Sequence, residues 1–134
     1  MNYTSIEQSK KLLELGLSPE SADMGYFYWE CYKSKTSGID DVPTILAGLP
    51  IEKCDIPCWT VGALLESVPK YFSECNHQFV QTISYDHIDG LYHFVYRDYQ
   101  HGGRDKTIAS NKDLLDGAFE MVVWLIKNGY TKTK

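Results

Sequence analysis

Four cysteines and a histidine stand where they could do chemistry. Cys54-x3-Cys58 is followed by Cys75-x-His77, and thiolate and imidazole are donors that zinc prefers. The spacing is loose, with no CxxC or CxxH pair, and Pro57 stiffens the loop. Structural zinc sites use tighter spacing. The expectation is therefore no metal, and free, partly buried thiols at these positions and at Cys31. Cys58 also precedes a helix start, where the dipole lowers a thiol pKa and favours a nucleophile. Such a thiol needs a base, and His77, His87, His93 and His101 stand in no signature that supplies one. The competing reading is a small apolar residue packed beside Trp59.

Asp86 and His93 are expected to face each other across a hairpin, a carboxylate beside an imidazole. Asp86, His87 and Asp89 offer donors for a divalent cation, but a hairpin tip uses polar residues in any case. Gly102-Gly103 lacks the Lys and helix of a phosphate loop, and no GxSxG, HExxH or dinucleotide fingerprint occurs. No catalytic residue, metal ligand or cofactor is assigned.

The chain holds ten tyrosines. Between Gly25 and Tyr32 the pattern has the period of a strand. Phe27, Trp29 and Cys31 fall on one side, and Tyr26, Tyr28 and Tyr32 on the other. The expectation is that Trp29 is core and that Tyr26, Tyr28 and Tyr32 form a partner-binding surface, since tyrosine is enriched at interfaces.

The elements that must position these residues follow from caps and periodicity. Thr4, with Glu7 three residues on, reads as a capping box for a first helix that Gly16 ends. Residues 42–57 read as an irregular surface segment broken by Pro43, Pro50 and Pro57, with room for a short turn of helix or strand. Thr60 caps a second helix, with Trp59 and Leu64 at staple spacing and Pro69 as the stop. Asp89-Gly90 predicts a two-residue hairpin turn. That pairs Ile88 with Leu91, Tyr85 with Phe94 and Ile83 with Tyr96, and puts Phe79, Ile83, Tyr85, Tyr92, Phe94 and Tyr96 on one face. Thr107 to Ser110 reads as a further strand. Asn111 or Asp113 caps a largely apolar helix that runs to about Asn128. The fold class expected is α+β: an antiparallel meander of about three or four strands, with a long C-terminal helix and two shorter helices packed on one face. Residues 1–134 read as a single domain.

Three stretches carry a resemblance. They are Ser9-Lys10-Lys11-Leu12-Leu13-Glu14-Leu15-Gly16-Leu17, Ile56-Pro57-Cys58-Trp59-Thr60-Val61-Gly62-Ala63-Leu64-Leu65, and Gly117 to Tyr130. In this order they are similar to a family of small proteins from Bacteroides-type bacteria and their phages and mobile elements. The resemblance implies no activity and no catalytic residues.

The 134 residues carry a net charge of -5. That opposes general affinity for nucleic acid or anionic membrane, where clustered Lys and Arg are needed. The acids are spread rather than massed, which also weakens the case for a nucleic-acid mimic. The longest apolar run, Met121 to Ile126, is too short to span a bilayer, and the polar start lacks a secretory pattern. The expectation is a small cytoplasmic binding protein whose partner is another protein or a second copy. The alternatives are a small enzyme using Cys58 or a histidine, and an acidic mimic or inhibitor.

Overall fold

The structure, a computed structural model, describes residues 2–31, 33–39, 42–46, 55–99 and 105–130. Its largest unit is a four-stranded antiparallel meander: β6 (Tyr71–Glu74), β7 (His77–Asp86), β8 (Leu91–Asp98) and β9 (Lys106–Asn111), in that spatial order. One face is covered by the long C-terminal α3 (Leu114–Lys127), which lies against β8 and β9, while α1 (Ile6–Glu14), beside residues 56–58, and α2 (Val61–Glu66), beside α3, close the same core. This is the α+β arrangement expected from the sequence. Leu12 of α1, Leu64 of α2, Phe94 and Tyr96 of β8, and Met121, Val122 and Leu125 of α3 are all sealed from solvent in one core.

Each of the three α-helices starts at a side-chain cap, which satisfies N–H groups that have no partner within the helix. The α1 cap is Ser5, whose box closes with Gln8 at 3.1 and 3.0 Å, one residue later than the Thr4–Glu7 pair predicted. Thr4 is buried and spent elsewhere. Thr60 caps α2 as expected, and Asp113 caps α3. Buried residues of α3 recur at three- and four-residue steps, Leu115, Ala118, Met121, Val122 and Leu125, the stripe of a helix lying on a sheet. The α3 end closes through Gly129 at φ 78°, with Gly129 N–H on Ile126 O and Tyr130 N–H on Leu125 O. Only glycine takes that φ without cost, and the closure turns Tyr130 back toward the sheet.

The β7–β8 turn is longer than predicted. Asp86 pairs with Leu91, Tyr85 with Tyr92, Ser84 with His93 and Ile83 with Phe94. The loop is His87–Gly90, and of its residues only Gly90 has positive φ. Asp86 and Asp89 carboxylates accept the N–H groups of Ile88 and Leu91, both at 2.9 Å. Those bonds hold a wider turn than the primed two-residue form, which needs positive φ at both central positions. The register moves by two residues, an even number, so the predicted faces survive. Phe94, Tyr96 and Phe79 are buried under the helices.

The strand read across residues 25–32 is two strands in two sheets. β1 (Met24–Tyr26) lies between β4 (Thr44–Ile45) and β5 (Ile56–Cys58), while β2 (Tyr28–Cys31) pairs with β3 (Thr36–Ile39). The period breaks at Phe27, so alternation on one side of it says nothing about the other. The ends of residues 42–57 supply the short strands β4 and β5, and Ile56 and Pro57 are buried rather than on the surface; residues 47–54 lie outside the described set.

Candidate interaction surface and polar clusters

The predicted tyrosine surface does not hold together. Tyr26 is 2% exposed, and its hydroxyl donates to the Thr4 carbonyl at 2.8 Å. That bond is what lets a phenol be buried, and burial, followed by the nearby Cys58, pushes its pKa up. Tyr28 is exposed as expected, and Tyr32 lies outside the described residues. Trp29, expected in the core, is 45% exposed, its ring laid over Gly38 across the β2–β3 pair. The buried tryptophan is Trp59, whose Nε1 donates to Ser21 Oγ at 2.9 Å.

Cys58 is fully buried. Its thiol donates to the Thr4 carbonyl at 3.2 Å, and burial raises its pKa although contacts with Thr4 and Tyr26 pull the other way. A reactive thiol needs the opposite setting, partly exposed and electropositive. Cys75 is exposed in the two-residue turn between β6 and β7, with φ 52° there and 66° at Asn76. Asn tolerates this conformation and Cys does so rarely, so the turn leaves no trace in the sequence and β6 goes unread. Cys54 lies outside the described residues. Among the described residues, Cys58, Cys75 and His77 form no group able to hold a metal.

His93 takes a different partner from the one predicted. Its Nε2 is 2.9 Å from Asp89 Oδ2 and its Nδ1 is 2.7 Å from Ser110 Oγ. Asp86, Asp89 and His93 do gather at the hairpin tip. Both carboxylates are engaged with turn N–H groups there, and the Leu91 N–H, followed by His93, lowers the Asp89 pKa.

A second polar group lies on the helix-covered face, at the opposite end of the sheet, and the sequence did not announce it. Glu74 accepts from Tyr130 Oη at 2.6 Å and from Lys106 Nζ at 3.0 Å. Those bonds hold the Glu74 carboxyl below its usual range, with the Tyr130 hydroxyl the larger cause. Next to Glu74 in the register stands His77, whose Nδ1 is 2.9 Å from the fully buried Asp98 carboxylate. These residues come from four strand ends and from the turn after α3.

The opposite face of the same sheet is open. Paired residues share a face, and Tyr71 pairs with Val80, which pairs with Arg97. Tyr99, bonded through its N–H to Gln78 O, follows two residues after Arg97. Tyr71 is 72% and Tyr99 77% exposed, and Val80 and Arg97 are exposed beside them. Lys70, Tyr71, Gln78, Val80 and Tyr99 line a shallow hollow of about 350 Å³. Period-2 alternation past Asp98 could have found Tyr99; Tyr71 needed the unread strand.

No family model, curated protein or solved structure matches the chain. Among the described residues, no helix is long and apolar enough to cross a membrane.

Proposed function

We propose that this chain is a small cytoplasmic binding protein of mobile-element origin, acting through protein contacts on the open face of its four-stranded sheet. The observation that carries this reading is the exposed Tyr71, Tyr99 and Val80 lining the hollow, with the exposed Arg97 paired beside Val80. Tyrosine and arginine are the types that dominate interface energies. Aromatic rings left in water beside an aliphatic neighbour gain most from being covered. The contact surface is thus assigned to other tyrosines than Tyr26, Tyr28 and Tyr32. The test is the double substitution Tyr71→Ser with Tyr99→Ser. It should shift stability by no more than about 0.5 kcal/mol per exposed site, and should abolish capture of partners from cells of the native host. Unchanged capture would remove the reading.

One observation favours a second reading, an acid–base enzyme working at a histidine. The buried Asp98 carboxylate beside His77 Nδ1 is the pairing that orients an imidazole for proton transfer. A loss of any hydrolytic activity on His77→Gln, with the fold retained, would support it.

A further inference from the structure

The open face of the sheet is polarised along its strands. At one end lie the hollow, Tyr71, Val80, Tyr99 and the exposed Arg97. At the other lie Asp86 and Asp89, with Ile88 at the hairpin tip 86% exposed. Between them the face presents Thr82, Ser84, His93, Val95, Thr107 and Ser110, without a carboxylate, Lys or Arg. From Val80 to Ile88 the rise per residue puts the two ends about 25 Å apart.

A two-fold axis lying in the contact plane, perpendicular to the strands and passing over Thr82 and Ser84, exchanges these ends. It brings the Ile88 tip of each copy to the other's hollow, and Asp86 and Asp89 of each to the other's Arg97. An isologous contact needs this kind of self-complementarity, in which residue i meets j and j meets i. The imidazole near the axis, His93, is held within its own copy by Asp89 and Ser110, and no carboxylate or Lys/Arg stands there to meet its like. We propose that two copies of the chain pair face to face through this sheet, with Ile88 seated at the Tyr71–Val80–Tyr99 hollow and Arg97 facing Asp86 and Asp89. The proposal rests on the reading of this face as the contact surface, and it names the occupant.

Size sets the strength. The four strands hold 4, 10, 8 and 6 residues, and at about 3.3 Å per residue and about 4.8 Å between strands they offer on the order of 450 Å² per copy. Standard interfaces bury about 800 Å² per partner. The dimer is therefore weak. The net charge of -5 on each copy also opposes it, which physiological salt screens beyond about 8 Å.

Sedimentation velocity in physiological salt, at concentrations up to about 1 mM, should show a monomer–dimer equilibrium. Ile88→Glu and Arg97→Glu, both at exposed positions, should each weaken dimerisation about tenfold or more. Tyr28→Ser, on the β2–β3 pair, should leave it unchanged. A monomer across the whole range overturns the proposal, and so does a dimer indifferent to Ile88→Glu and Arg97→Glu. If the wild type is monomeric but Tyr71→Ser with Tyr99→Ser still abolishes capture of a host partner, self-pairing is refuted and the contact surface stands. If association and capture both survive the tyrosine substitutions, both are refuted.

Discussion

Two polar networks in this molecule use similar groups to opposite ends. Around Thr4 everything is enclosed. Its hydroxyl accepts the Trp59 N–H at 3.0 Å and lies 2.8 Å from Ser9 Oγ. Its carbonyl accepts from Tyr26 and Cys58, and its N–H donates to Trp59 O at 2.8 Å. Thr4, Ser9 and Cys58 have no exposure, so each bond works at low dielectric and a missing partner is costly. Around Glu74 the bonds are as short, but Glu74 and Lys106 keep a third or so of their side chains in solvent. The difference is one of position. The first network ties Thr4 and Ser9 to β5 of the three-stranded sheet. The second finishes the end of the large sheet, where water can reach Glu74 and Lys106. A phenol, a thiol or a carboxylate therefore marks a working site only when its surroundings are known.

The sharpest way to break this comparison is to remove what the closed network supports. Trp59→Ala should cost about 3–5 kcal/mol, the range for truncating a large buried aromatic. Trp29→Ala should cost about 1 kcal/mol or less, as half-exposed positions do. Urea unfolding of the two variants checks this directly. Equal losses would mean that Trp29 is as well packed as Trp59, contrary to its exposure.

A smaller effect isolates the network's polar bonds. Thr4→Val keeps shape and removes the hydroxyl, leaving the Trp59 N–H buried without its acceptor. The expected loss is about 1–3 kcal/mol, read as a lower urea midpoint at unchanged slope. A variant as stable as the parent would show that the N–H finds another acceptor, and that the enclosure is less complete than the geometry implies.

The meander and the α3 stripe were legible because their signals are periodic and local. Alternation, an Asp-Gly turn and a capped apolar run point to one answer. Even the wrong turn length kept the faces, since the error was two residues. What failed depended on non-local events. Tyr26 is buried because Thr4, far off in sequence, offers a carbonyl. Trp29 is exposed because the chain changes sheets at Phe27. Glu74, His77, Asp98, Lys106 and Tyr130 meet only because four strands end together. No spacing rule in one sequence brings such residues together, and β6, joined through Cys75 and Asn76, lacked the glycine that advertises a primed turn.

The smallest expected effect tests the open network. Glu74→Gln keeps the shape and removes the charge that Tyr130 and Lys106 bond. Its folded pKa is depressed, with Tyr130 the first cause and Lys106 the second, below the ordinary glutamate value of 4.5. A depressed carboxyl contributes stability that is present above the unfolded value and is lost as pH falls through the folded one. The wild-type melting temperature should therefore fall more steeply than that of Glu74→Gln as the pH drops below 4.5. Above that pH the variant should melt only slightly lower, because solvent-accessible ion pairs contribute little. Parallel acid profiles for the two proteins would show that the Glu74 bonds exchange freely with water. A large loss at neutral pH would instead place Glu74 with Thr4, in a network that water cannot replace.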